Sequence, residues 1–308
     1  MSQEPPNDWI QSYLDVLRHQ RQLSEHSISA YSLDLAELRH FAQQRPLESL
    51  GYFDIRRLTS QLHAQQLNPR SIARKLSSWR GFYRWLAEQI SMPANPVEGI
   101  KAPKKTKSLP KALGADDAVH LVAHHGSDEA SPLANRAMFE LLYSSGLRVS
   151  ELVSLDVRDY SDATYSSVGW VDAAQAEVHV TGKGNKQRIV PVGKPALAAL
   201  QDWLALRPTL LKTEQRALFL NERGNRMSVR SVQLRLKAHA QALGIPADVH
   251  PHVLRHSFAS HVLQSSGDLR AVQEMLGHSS IAATQVYTAL DFQHLSQVYD
   301  ATHPRAKK

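Results

Sequence analysis

The stretch that most limits what this chain can become is PANPVEGIKAPKKTKSLPKAL at 93–113, with four prolines and five lysines. Proline removes a backbone donor and fixes φ, and clustered lysines repel one another, so regular structure cannot run through it. It reads as an interdomain linker dividing the 308 residues into two folded parts. The expected boundaries are an all-helical domain over 1–100, a basic linker over 101–113 and a larger domain over 114–308. A linker this basic is also able to lie along a nucleic acid.

Composition narrows the classes. Hydrophobic residues make up 42%, enough for two cores. There is no cysteine, which excludes disulfides, thiolate metal sites and a cysteine nucleophile. No apolar run approaches the ~18 residues of a spanning helix, and the first residues are polar and acidic, unlike a targeting signal. The expectation is a soluble, cytoplasmic protein with no membrane insertion.

The net charge of +7 is unevenly spread. Residues 1–112 hold 16 Lys/Arg against 10 Asp/Glu, whereas 113–308 hold 20 against 19. Residues 70–111 alone carry ten basic side chains against Glu88 and Glu98. A local excess of this kind marks a polyanion-binding stripe more specifically than the overall charge does.

Helical periodicity fills the first third. Trp9, Ile10, Tyr13, Leu14 and Leu17 form one stripe; Ser24 caps a second helix with Ile28, Tyr31, Leu35 and Leu38; a third holds Ile55, Leu58 and Leu62. In the fourth, Asn68 is the cap, Pro69 opens the first turn, and Ile72, Leu76, Trp79, Tyr83, Leu86 and Ile90 face the core. Its other face presents Arg70, Arg74, Ser77, Ser78, Gly81 and Arg84. Arginines interleaved with small residues admit a phosphate backbone closely. The alternative is an ordinary solvated face, but such faces mix signs and this one has no acid before Glu88. Further on, AEVHVTG and QRIVPVG read as two strands joined through Lys183-Gly184-Asn185-Lys186, and helices are expected near 194–206, 228–243, 252–265, 268–276 and 291–300.

Four segments carry candidate chemistry: SGLRVSEL at 145–152, the hairpin tip with its lysines, HPHVLRHSFASH at 250–261, and LGHSSIAATQVYTAL at 276–290. Their residue types suit attack on a phosphodiester. Charge develops on the non-bridging oxygens, which paired planar guanidinium donors such as Arg148 and Arg255 can meet. Without cysteine the attacking group must be a hydroxyl; a tyrosine, with a pKa near 10, can form a phosphotyrosyl ester. The leaving alkoxide needs a proton, which a mobile lysine can deliver. His252 and His256 share a helical face, but Val253 stands where a zinc protease has Glu, and no third ligand is evident. His261 and His294 read as ordinary helix-surface residues.

Taken in order, HxLRHSFASH, LGHSS and TQVYT resemble the tyrosine recombinases, the phage-integrase-type site-specific recombinases, along almost the whole chain. The tail DFQHLSQVYDATHPRAKK resembles the bacterial members that resolve chromosome dimers. The resemblance implies a mainly α fold: a helical, SAM-like DNA-binding bundle, then a mixed, mostly helical catalytic domain with a small antiparallel β-sheet. By motif position it makes Arg148, Lys183, His252, Arg255 and His278 catalytic and Tyr287 the nucleophile, with Lys186 a nearby alternative to Lys183. DNA contact is expected from Arg70, Arg74, Ser77, Arg84, Lys104 and Lys105.

The implied reaction is strand exchange through a 3′-phosphotyrosyl link with no cofactor, ATP or metal; no GxxxxGK[ST] loop is present. The implied partners are a specific duplex site, a XerD-like recombinase in a heterotetrameric synapse and the FtsK translocase. The family passes its C-terminal helix to a neighbour, which here would be 291–301, anchored by Leu295 and Val298 or Tyr299; the alternative is packing on its own chain. The stretch 159–177 is longer than the family usually has and reads as an inserted loop or extra turn. Three rivals stand beside this reading: a type IB topoisomerase, which religates the same strand; a phage or transposon integrase, which differs in its site; and a non-enzymatic DNA-binding protein, which has no need of the ordered catalytic set.

Overall fold

A computed structural model describes residues 8–104, 112–124, 129–182, 185–245, 248–277, 298–299 and 301–305. The chain divides into two compact units, Met1–Ser108 and Leu109–Lys308.

The first unit is built from α1 (Trp9–His19), α2 (Glu25–Ala42), α3 (Tyr52–Ala64) and α4 (Pro69–Gln89). Side-chain oxygens of Asp8, Ser24 and Asn68 cap α1, α2 and α4 by accepting from backbone N–H groups of the first turn. The long helix α4 buries Ile72, Leu76, Trp79, Phe82, Tyr83 and Leu86 against the others. The Tyr13 ring lies 5.6 Å from Phe82 and 5.5 Å from Trp85, and a β-carbon on Gly81 would stand 2.7 Å from Tyr13 Oη. Gly81 therefore serves helix packing and not the basic face on which the periodicity put it. Ser78 also leaves that face: it is fully buried.

Residues 95–100 pack on this unit. Asn95 donates to the Arg80 carbonyl (3.1 Å), Arg80 donates to the Ile100 carbonyl (3.0 Å), and Val97 and Ile100 are buried. The part of the 93–113 stretch before Lys101 is thus core-attached, because two apolar residues among the prolines find a place in the core.

In the second unit α5 (Ala115–Ala123) and α6 (Ala130–Ser144) lead to the short α7 (Val149–Ser154) and four strands, β1 (Leu155–Asp156), β2 (Gly169–Asp172), β3 (Glu177–Thr181) and β4 (Gln187–Pro191). The helices α8 (Lys194–Leu206), α9 (Val229–Ala242), α10 (Pro251–Ser266) and α11 (Leu269–Leu276) follow among the described residues. Helix α6 is the hub. Every residue from Ala137 to Ser144 is buried, and α5, α8, α9 and α10 pack around it.

The mainly α class is observed, with a sheet that is mixed and not purely antiparallel: β1 pairs parallel with β2, and β2–β3 and β3–β4 are antiparallel. Val178 pairs with Val190 and Val180 with Arg188, so Arg188 shares the inward face with valines. The stretch 159–177 is not simply an inserted loop, since it supplies β2 and the turn into β3. Its first part is held by Asp156, which accepts from Tyr165 Oη (2.7 Å) and Ser167 Oγ (2.6 Å).

His261 is buried, contrary to its reading as a surface residue. Its Nδ1 lies 2.9 Å from Tyr143 Oη and its Nε2 lies 3.0 Å from the Leu113 carbonyl. Of the expected exchange helix, 298–299 and 301–302 are helical and described. Val298 and Tyr299 pack against their own unit's core, while Leu295 and His294 lie outside the described residues. The Arg305 guanidinium closes this tail onto α6 through a buried ion pair with Glu140.

Two predictions follow from these charges. Asp54 accepts from Gly51 N–H and from both Arg45 Nη atoms, all at 3.0 Å, and Arg45 first, then Gly51, holds its carboxyl at about 2. A folded-state value below the unfolded ~3.9 stabilises above pH ~4 and is lost as the pH falls toward 2. Asp54→Asn should lower the melting temperature at pH 7, with the gap closing between pH 4 and pH 2 in thermal unfolding. Arg305→Ala should cost about 3–5 kcal/mol in denaturant unfolding, because it strands Glu140. Replacing both partners with Met should cost much less.

Candidate active site

Helix α6 stops at Ser144 because Gly146 turns with φ +56°. A side chain there is excluded twice, by the left-handed backbone and by the Phe258 ring, 2.4 Å from where a β-carbon would lie. The turn delivers Arg148 to the N-terminus of α7. Three residues on, Glu151 accepts from the Arg148 backbone N–H (2.7 Å) and from its Nη1 (2.7 Å). Arg148 keeps about a third of its side chain exposed (35%), whereas Glu151 is only 4% exposed.

Glu151 is also gripped from β4. Arg188 donates to it through Nη1 (2.9 Å) and Nη2 (2.7 Å), a bidentate pair. Burial pushes the Glu151 carboxyl upward, but Arg188 and then Arg148 outweigh it and leave the group below its ordinary value. The carboxylate is therefore ionised at neutral pH.

Three arginines converge on the last turn of α11. Arg188 Nε donates to the Met275 carbonyl (2.8 Å), Arg255 Nη2 to the Leu276 carbonyl (2.5 Å) and Arg148 Nη2 to the Gly277 carbonyl (3.5 Å). Orphan carbonyls at a helix C-terminus carry the negative end of the helix dipole, and cations are their natural partners. Arg255 also donates to the Gly146 carbonyl, tying α10 to the turn before Arg148. Two of its five N–H donors are thereby used.

Three guanidinium groups around one carboxylate leave an excess of positive charge. Arg255 is depressed to about 9, first by burial and then by Arg148, with Glu151 opposing. His252, exposed at the start of α10, is shifted down by partial desolvation, then by His250 and Arg255, and so stays neutral near pH 7. Among the described residues no group of three or more His, Asp or Glu is placed to hold a metal ion.

Arg148, His252 and Arg255 are thus described, and Arg148 and Arg255 meet around one helix end. Lys183, His278 and Tyr287 lie outside the described residues, but the residues next to two of them are placed. Gly182 N–H donates to the Lys186 carbonyl (2.8 Å), and a β-carbon on Gly182 would stand 3.4 Å from Arg188 Nη1 and 3.7 Å from Arg148 Nη1. Gly277, immediately before His278, has φ +62°, and its β-carbon position is 3.1 Å from Arg188 Cδ.

The motif reading missed Glu151 and Arg188. Each had a signal. Glu151 stands three residues after Arg148, the spacing at which a carboxylate reaches back to the N-cap N–H. Arg188 alternates in phase with Val190, so it falls on the buried face, where a charge demands a partner.

On the first unit Arg70, Ser77 and Arg84 are exposed along α4, and Lys104 is exposed; Lys105 lies outside the described residues. Arg74 is half exposed but engaged: it donates to the buried Asp34 carboxylate (2.5 Å) and to the Ala30 carbonyl (3.3 Å).

Residues 111–294 match the Phage integrase family, and residues 10–89 match the Phage integrase, N-terminal SAM-like domain. The chain is 52% identical to tyrosine recombinase XerC of Ralstonia pickettii, over 99% of this chain and 96% of that protein. It is 47% identical to tyrosine recombinase XerC of Alcanivorax borkumensis, over 97% and 94%. In fold it is similar to lambda integrase (75–356) as a dimer bound to a COC′ core site, with TM-score 0.68, 18% identity, and coverage of 92% of this chain and 98% of that one. It is also similar to the XerH recombinase bound to palindromic difH substrate, with TM-score 0.64, 18% identity, and coverage of 94% and 83%. With these family matches and this likeness along nearly its full length, the chain belongs to the phage integrase family of site-specific tyrosine recombinases.

Proposed function

We propose that this chain cuts and rejoins DNA at a specific site through Tyr287. Its Oη attacks the scissile phosphorus as the phenolic proton passes to bulk water, and the bond to the 5′-oxygen breaks to leave a 3′-phosphotyrosyl link. Arg148 and Arg255 stabilise the charge on the non-bridging oxygens, with His252 and His278 hydrogen-bonding to them, and Lys183 gives a proton to the departing 5′-oxygen. A 5′-hydroxyl of the partner duplex then attacks the tyrosyl ester and restores the phosphodiester. The link conserves the bond energy, so no nucleotide is consumed.

The observation that carries this reading is the cationic cluster itself: Arg148, Arg188 and Arg255 around a single carboxylate at the end of α11. Held by these hydrogen bonds, Arg148 and Arg255 are preorganised to receive an anion whose charge grows during reaction. The exposed Arg70, Ser77 and Arg84 of α4, with Arg74, Lys104 and Lys105, supply sequence-independent contacts to the phosphate backbone.

The likeness to the XerC proteins supports a finer reading: a cytoplasmic enzyme that resolves chromosome dimers with a XerD-like partner in a four-protomer synapse, under the control of an FtsK translocase. In that synapse the 291–301 helix would dock on a neighbouring protomer, which requires Val298 and Tyr299 to leave the core they occupy here. No described helix is long and apolar enough to cross a membrane.

Incubation with genomic fragments, followed by capture of DNA-linked protein, should recover one site with Tyr287 as the modified residue. Tyr287→Phe should reduce adducts below detection. An adduct retained by Tyr287→Phe contradicts the nucleophile, and relaxation of supercoils without recombinant products favours topoisomerase chemistry over exchange.

A further inference from the structure

Arg188 belongs to none of the motif positions, yet it is one of the most heavily engaged side chains in the second unit. It is 4% exposed, and all three of its guanidinium nitrogens donate: Nη1 and Nη2 to Glu151, Nε to the Met275 carbonyl. Its side chain is packed between two glycines. The β-carbon positions of Gly182 and Gly277 fall 3.4 Å and 3.3 Å from Arg188 Nη1. Each glycine is the residue immediately before a proposed catalytic one, Lys183 and His278. The carboxylate Arg188 holds is the one that fixes both the backbone and the guanidinium of Arg148.

We infer that Arg188 is a positioning residue that registers three separate parts of the active site against one another: the α7 N-terminus with Arg148, the hairpin with Lys183, and the end of α11 leading to His278. The inference rests on the roles proposed above for those residues. A planar fork with donors on three nitrogens fixes direction as well as distance, which an ammonium on a flexible stem cannot do. The contact is tight at Gly277, where a β-carbon would lie 3.1 Å from Arg188 Cδ and the left-handed backbone favours glycine, and of ordinary van der Waals length at Gly182. Arg188 reaches no solvent-facing anion site in this arrangement, so its effect passes through the groups it holds. Its burial is offset by the bidentate pair with Glu151, so loss of the fork disturbs the group that holds Arg148.

The test uses the duplex recovered by the capture experiment, synthesised with either an ordinary 5′-oxygen or a 5′-bridging sulfur at the scissile phosphate. A thiolate leaves without protonation, so cleavage of the sulfur duplex does not need the lysine acid. The quantity read is the ratio of the sulfur to the oxygen cleavage rate by the full chain. In wild type it sets the baseline; Lys183→Ala should raise it at least ~100-fold, the usual contribution of a general acid. Arg188→Gln should slow cleavage of the oxygen duplex and raise the ratio at least ~10-fold, because the hairpin loses its register. Arg188→Lys keeps a cation beside Glu151 but loses the fork, and should show the same direction of change; it gives the reading should Arg188→Gln not fold. A folded Arg188 variant that slows neither duplex overturns the positioning role, and one that slows both equally overturns the tie to the hairpin. If Lys183→Ala leaves the ratio unchanged, the acid role of Lys183 fails, and the hairpin part of the inference fails with it. A rise for Lys183→Ala alone overturns the Arg188 tie and leaves the proposed chemistry standing.

Discussion

The second unit turns on one buried carboxylate. Glu151 is removed from water at a cost of several kcal/mol, and only a dense set of charge-assisted hydrogen bonds offsets that. Arg188 supplies two of them and Arg148 two more, one from its backbone. Because the depressed carboxyl is charged at neutral pH, the stability it contributes is present there and is lost as acid protonates it. Everything near the site is placed relative to this group: α7 begins beside it, β4 points into it, and α11 ends on the same guanidinium layer. Removing the carboxylate would leave two cations facing each other and a third, Arg255, close by.

The same principle shapes the first unit, with a different outcome. Asp34 is fully buried and accepts from Arg74 and from Lys75 (3.2 Å), while its backbone carbonyl accepts from Trp79 Nε1 (2.7 Å). Burial raises its carboxyl despite those cations. Part of the basic excess that the sequence concentrates in 70–111 is therefore spent holding α2 to α4. Arg80 is likewise turned inward, onto the carbonyls of 97 and 100. The surface left for a polyanion is narrower than the charge count implied: Arg70 and Arg84 remain exposed on α4, and Arg74 only shares its charge with it.

How far the residues alone revealed this depended on what kind of force was involved. Helices with a strong apolar period and a cap were readable to within a residue or two. Asn68-Pro69 opens α4, and the stretch expected at 194–206 is α8. The hairpin was readable because two valine-rich runs flank a glycine-bearing tip. Strand β2 was not, since its four residues place only Gly169 and Val171 inward, too few for a period. Ser78 and Gly81 were misplaced because a small residue fits either a helix contact or an open face, and at Gly81 the position of Tyr13 decides. His261 was misread for a related reason: its partners, Tyr143 and the Leu113 carbonyl, are 118 and 148 residues away in sequence. At the site, motif order singled out Arg148, His252 and Arg255. It could not single out Glu151 and Arg188, whose roles exist only once α7, β4 and α11 are brought together.

Glu151 and Arg188 act as one unit in building the cationic site. A double-mutant cycle with Glu151→Gln, Arg188→Gln and the pair, read by denaturant unfolding of the full chain, tests it most directly. Coupling between the two changes of about 2 kcal/mol or more is the predicted result, since each single change strands a buried charge that the double change removes. Single effects that add within about 0.5 kcal/mol would contradict the account.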